Sequence, residues 1–215
     1  MVKRRGSMRG TVFRRLAALL FLVFLPAAVL IGGDAPRTSG APAVLIQGDL
    51  DRDGQAELYL CQGGAVTVSE GGKTRWRSPD EWRVEACALG DVNNDGADEL
   101  LLSLWKTGSF GRLQPFWHTG PDESHRNHLF VLRYTGDGMR PLWCSSALDR
   151  PAGALRVADT DGDGRNELAV VEGAYRRVRG EVYTADFGAA RRAVLRWDGW
   201  GFSLAAPGGG GELLY

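Results

Sequence analysis

Three stretches of this 215-residue chain share one acidic pattern: "GDLDRDGQAELYL" from Gly48, "GDVNNDGADELLL" from Gly90 and "ADTDGDGRNELAV" from Ala158. All three fit D-x-[DN]-x-D-G-x-x-E-L, and repetition at six positions sets them apart from a single acidic patch. A hard cation such as Ca²⁺ takes six to eight oxygens, so a short turn that serves it must aim several carboxylates inward while a glycine allows the sharp bend. Alternate positions supply those oxygens. The first turn offers the side chains of Asp49, Asp51, Asp53 and Glu57 and the carbonyl of Gln55, with Gly54 bending the chain at positive φ. The second offers Asp91, Asn93, Asp95, Glu99 and the carbonyl of Ala97; the third offers Asp159, Asp161, Asp163, Glu167 and the carbonyl of Arg165. Up to three Ca²⁺ ions are expected, bound most weakly in the middle turn, where Asn93 replaces a carboxylate. Without a cation, three or four acids on one tight turn repel one another.

The elements around the turns have the composition of strands. "PAVLIQG", "VEACALG" and "ALRVAD" precede them and "LYLCQ", "LLLSLW" and "LAVVEG" follow, short runs rich in β-branched and other apolar residues. An EF-hand needs helices on both sides and a glutamate at loop position twelve, where this chain has Leu60, Leu102 and Val170. Each turn is therefore expected to join two antiparallel strands.

Strand, D-x-D-x-D-G-x-x-E-L turn, strand resembles the FG-GAP and VCBS-type repeats of integrin α-chain β-propellers and many exported bacterial proteins. The resemblance covers about residues 43–206. It is nearer the VCBS-like branch, because the FG and GAP signatures shrink to Phe110-Gly111 and a partial Gly173-Ala174, and position nine is Glu where Asp is commoner. It implies an all-β, β-propeller-like array of about three four-stranded antiparallel blades, over about residues 43–78, 83–148 and 153–206. The third and fourth strands of the units are expected in "AVTVSE" and "KTRWRS", "HLFVLRY" and "RPLWCSS", and "AVLRW" and "WGFSLAA", the last pair joined by a two-residue Asp198-Gly199 hairpin. Three blades are fewer than the roughly four to eight of closed propellers. The array is thus expected to be open, or completed by a partner chain or by a strand from the Gly-rich tail, residues 207–215.

A four-stranded meander puts its first and third connections at one end and its second at the other. The long second connections, Lys106–Asn127 and about Ala174–Arg192, should then emerge together opposite the acidic turns, where binding residues are usually carried. Candidate ligand-binding residues there are Lys106, Arg112, Trp117, His118, His125, Tyr175, Arg176, Arg177, Arg179 and Tyr183. Interleaved arginines and aromatics suit an anionic glycan, a carboxylate or an acidic protein patch. Packing beneath the loops is the plainer role for the same aromatics. The histidines match no zinc spacing.

Before the repeats, "LAALLFLVFLPAAVLI" (Leu16–Ile31) is uncharged and follows six cations, Lys3, Arg4, Arg5, Arg9, Arg14 and Arg15. This is an export pattern, and residues 1–33 are expected to be a cleaved signal peptide or a retained hydrophobic helical anchor, with 34–42 as linker. As a helix the apolar run would reach roughly 24 Å against a hydrocarbon core of roughly 30 Å. The rest of the chain holds 20 basic and 26 acidic side chains, which argues against a nucleic-acid partner. Export makes one disulfide possible among Cys61, Cys87 and Cys144, but their apolar surroundings favour buried free thiols. Together these features lead to the expectation of an extracytoplasmic binding, adhesion or assembly module with structural Ca²⁺. The alternatives are a hydrolase or lyase on cell-wall polysaccharide using His118 or His125, and a subunit whose ring another chain completes.

Overall fold

The computed structural model describes residues 43–109, 116 and 119–205. These form twelve strands and, among the described residues, no helix: β1 (Val44–Gly48), β2 (Glu57–Gln62), β3 (Ala65–Glu70), β4 (Lys73–Arg77), β5 (Arg83–Gly90), β6 (Glu99–Thr107), β7 (His125–Tyr134), β8 (Met139–Cys144), β9 (Ala152–Ala158), β10 (Glu167–Arg179), β11 (Val182–Trp197) and β12 (Phe202–Leu204). The expected N-terminal helix, the 34–42 linker, residues 110–115, 117 and 118 of the expected Lys106–Asn127 connection, and the 207–215 tail with its closing strand lie outside the described residues.

β1 to β4 make a four-stranded antiparallel sheet in sequence order. β5 to β8 and β9 to β12 make two more meanders, which join into one eight-stranded sheet through a single parallel bridge between Val182 and His125. The expected strands of all three units therefore form, with two corrections. The third unit has no long loop from Ala174 to Arg192: β10 and β11 run on as a hairpin beyond Glu172, paired from Ala174↔Asp186 to Arg179↔Val182. The last hairpin does not turn on Asp198-Gly199 alone: the last strand pair is Trp197↔Phe202, which leaves residues 198–201 between the strands, and within them Asp198 N–H donates to the Gly201 carbonyl at 3.0 Å.

Side-chain alternation explains how the sheets stack. On β2, Glu57, Tyr59 and Cys61 are buried while Leu58 and Leu60 are exposed, the pattern of a sheet with one covered face. On β6 every residue from Glu99 to Trp105 is buried, so this strand has neighbours on both faces. Leu100, Leu102 and Leu104 enter one core with Tyr59, Val66, Val68 and Phe130, whereas Leu101 enters another with Leu129, Leu168 and Val170. Each buried leucine stabilises its core by roughly 2 kcal/mol relative to exposure.

The stacking repeats at close quarters. A Cβ on Gly48 would come 3.0 Å from Leu89, and one on Gly90 would come 2.7 Å from Val157. In each case the residue before the acidic turn presses on the residue just ahead of its counterpart in the next unit. Glycine is needed there for room.

Cysteine chemistry departs from the expectation. Cys61 on β2 and Cys87 on β5 form a disulfide across the first core, and Cys144 is an exposed free thiol. Apolar surroundings do not distinguish a buried thiol from a buried disulfide; only the approach of the two sheets does.

Candidate functional site

The three acidic turns share one backbone design. Gly54, Gly96 and Gly164 have φ of 89°, 85° and 84°, as the bend requires. Two positions earlier Arg52, Asn94 and Gly162 also lie in the left-handed region, with φ of 62°, 60° and 80°. The first aspartate accepts from the backbone N–H of that sixth-position glycine, at 3.0 Å for Asp49, 2.7 Å for Asp91 and 2.9 Å for Asp159. The N–H bonds from Gly164 and its neighbours hold the Asp159 carboxyl below its ordinary range.

At the base of each turn the glutamate of the pattern is buried, Glu57 and Glu99 fully and Glu167 to 1% exposure. Glu57 accepts from Leu50 N–H and the Tyr59 hydroxyl, both at 2.9 Å, and Glu167 accepts from the N–H and hydroxyl of Thr160. Burial pushes Glu57 above its ordinary pKa despite those donors. Burial also pushes Glu99 up, against the nearby Arg133 guanidinium. For Glu167, burial acts the same way, but Thr160 and Arg196 more than offset it and the net direction is down.

The turns lie side by side. Asn94 and Asn166 exchange reciprocal bonds, Asn166 N–H to Asn94 Oδ1 at 2.6 Å and Asn94 Nδ2 to the Asn166 carbonyl at 3.1 Å. Arg52 of the first turn donates to the Gly96 carbonyl of the second. The β7–β8 turn is at the same end, since a Cβ on Gly136 would meet Asp51 Oδ2.

Oxygens of Asp49, Asp51 and Asp53, of Asp51, Glu57 and Glu70, and of Asp159, Asp161 and Glu167 each lie within 4.8 Å of one another, close enough to share a cation. Glu70 was not among the expected ligands. Nor were two arginines. Arg133 Nη2 donates to Asp95 at 2.6 Å and to Glu99, and Arg196 Nη2 donates to Asp161 at 2.7 Å and Glu167 at 3.1 Å, with Asp163 at 3.6 Å. The signal for all three was available in the third strands, where Glu70, Arg133 and Arg196 each precede a glycine-containing turn. Gln55, Ala97 and Arg165 occupy the places from which their carbonyls were expected to ligate, and the N–H groups of all three bond the preceding aspartate.

At the other end, β6–β7 and the β10–β11 hairpin do meet. His125 N–H donates to the Glu181 carbonyl at 3.0 Å, and Asn127 N–H donates to the Tyr175 hydroxyl at 3.2 Å. Most of the expected binding residues here are occupied with each other. Tyr175 donates to the Leu148 carbonyl and packs edge-on against Trp105, and His125 stacks on the same indole. Arg126 lies over Tyr183 at 3.9 Å and Tyr175 at 4.8 Å, while Arg177 bonds Tyr183 and Glu181. Lys106 Nζ donates to the Gly108 carbonyl at 2.9 Å, and burial lowers its pKa. Arg176 and Arg179 are exposed. Arg112, Trp117 and His118 lie outside the described residues.

No protein-family model matches this chain, and no curated protein matches it at a significant level.

Proposed function

We propose that this chain is an extracytoplasmic, calcium-binding β-propeller-like protein of the FG-GAP/VCBS type, built of three four-stranded blades, that serves as a binding, adhesion or assembly module. One observation carries the reading: three acidic turns of the same sequence and backbone design stand side by side at one end of successive meanders, each over a buried glutamate. Calcium on such turns is structural. It neutralises carboxylates so that the following strand can enter the core. The Cys61–Cys87 disulfide favours an oxidising compartment. The face carrying the β10–β11 hairpin, with exposed Arg176 and Arg179, suits an anionic glycan or an acidic protein surface.

The test is thermal melting of the metal-free protein with and without calcium. At free calcium one hundred times the dissociation constant, stability should rise by about 2.7 kcal/mol per site. An unchanged melting temperature, with no metal in the purified protein, refutes the reading.

A second reading, completion of the array by another chain, has its own support. Leu45, Leu58 and Leu60 share the outer face of the first sheet and are 63%, 40% and 36% exposed, whereas Leu100 and Leu102, the counterparts of Leu58 and Leu60 in the second unit, are fully buried. Mass measurement in solution tests it, and a stable monodisperse monomer counts against it. Polysaccharide hydrolysis through His118 or His125 has no comparable support, since His125 is packed against Trp105.

A further inference from the structure

The three turns differ at one structurally equivalent place. The register pairs Leu58 with Ser69, Leu100 with Leu132 and Leu168 with Leu195, so the next step sets Glu70 opposite Glu57, Arg133 opposite Glu99 and Arg196 opposite Glu167. In the second and third turns that place holds a guanidinium already bonded to the buried glutamate. In the first it holds a further carboxylate, itself only 6% exposed. We propose that the first turn alone is a tight divalent-cation site, completed from outside the turn by Glu70, while the second and third carry their own counter-charge in Arg133 and Arg196.

A separate observation points to a missing ligand at the first turn. Glu57 is fully buried and its Oε1 has no hydrogen-bond partner, although its Oε2 has two. A carboxylate oxygen left dry and unpaired costs far more than one that meets a donor or a metal. Asp51, Glu57 and Glu70 each offer an oxygen within 4.8 Å of the others, and all are hard ligands suited to Ca²⁺. Glu99 and Glu167 have no such orphan, because Arg133 and Arg196 bond them.

Charge ranks the turns in the same order. The first gathers Asp49, Asp51, Asp53, Glu57 and Glu70 against one guanidinium, that of Arg75, which bonds Glu70 and is 42% exposed. The third has four carboxylates, three of them within reach of Arg196, and the second has three, two of them bonded by Arg133, with Asn93 neutral. A cation entering the second or third turn must displace a bonded arginine from a buried partner. One entering the first meets the unpaired oxygen of Glu57, which no guanidinium holds, and shares Glu70 with the half-exposed Arg75.

The inference rests on the reading that these turns take cations, and the experiment separates the two. The full chain is titrated with calcium by calorimetry and with terbium by luminescence, where the part of the emission that Tyr59→Phe removes reports an ion in the first turn, since the Tyr59 hydroxyl bonds Glu57. One tight calcium event with tyrosine-sensitised terbium emission is expected. Glu70→Gln should weaken both by roughly 10–100-fold. Glu70→Arg, which installs the pairing of the other two units, should abolish both while the protein still folds. Arg196→Gln should add a second calcium event. Three equivalent events in the native protein, or unchanged affinity in both Glu70 variants, overturns the inference and leaves the calcium reading standing. No binding of either ion overturns both.

Discussion

Reducing the bond between Cys61 and Cys87 should cost this protein about 3.5 kcal/mol. The two cysteines are 26 residues apart, and the segment between them contains β3, β4 and the passage into β5. Closing a loop of that length removes denatured-state entropy worth about 3.5 kcal/mol at 25 °C. For a domain of this size each kcal/mol moves the melting temperature by about 2–4 °C, so reduction should lower it by about 7–14 °C. Reductant is the cleaner perturbation, because alanine at Cys61 would also remove a buried side chain from the first core. The assay is calorimetric melting before and after reduction in a Cys144→Ser background, which removes the exposed thiol as a source of exchange. Thiol titration of the native sequence in denaturant supplies the control: one thiol before reduction and three after. Three titratable thiols before reduction would show that no bond exists. An unchanged melting temperature with the bond demonstrably reduced would show that tethering the two sheets contributes nothing, and the loop-closure reasoning would fail.

His128 is fully buried with Nδ1 3.2 Å from the Ser145 carbonyl, and burial brings its pKa from 6.5 to about 4. The unfolded chain takes up a proton near pH 6.5 that the folded chain refuses until about pH 4. Stability present above pH 6.5 is therefore lost as pH falls towards 4, by about 3 kcal/mol in all at about 1.4 kcal/mol per pH unit. Urea melts of the native protein and His128→Gln across that window measure it, and parallel pH profiles would refute it. Gly90→Ala drives a Cβ to 2.7 Å from Val157 and should destabilise the protein by about 1–3 kcal/mol. Val157→Ala should recover part of that loss in a double-mutant cycle, and strict additivity of the two changes would show that the second and third units do not press together there.

The strands and turns of this fold are legible in the chain where one rule acts alone. Aspartates at alternate positions before a glycine mark the turns, and apolar runs on either side mark β2, β6 and the first half of β10. Beyond Glu172 the same strand becomes hard to recognise. Arg176, Arg177, Val178 and Arg179 are all exposed, so the alternation that signals a half-buried strand disappears, and only the lone Gly180 marks the turn. Its partners are set by register with β11, which is a long-range property. The counter-charges of the acidic turns are obscured for a related reason. Arg133 lies 34 residues from Glu99 and Arg196 lies 29 from Glu167, and only the pairing of second and third strands brings them together. The disulfide depends on the approach of two separate sheets, which no local pattern encodes.

Strand β6 gives two adjacent leucines different allegiances. Leu101 answers to the third unit and Leu102 to the first, although one peptide bond separates them. Loosening in such a stack can be confined to one seam: the third unit can open while the first stays closed, with the middle unit as hinge plate to both. Stability in a one-dimensional stack is a sum over seams rather than a single number. Amide exchange should then divide this protein between its ends, with β6 exchanging last because both seams must open before its backbone meets water.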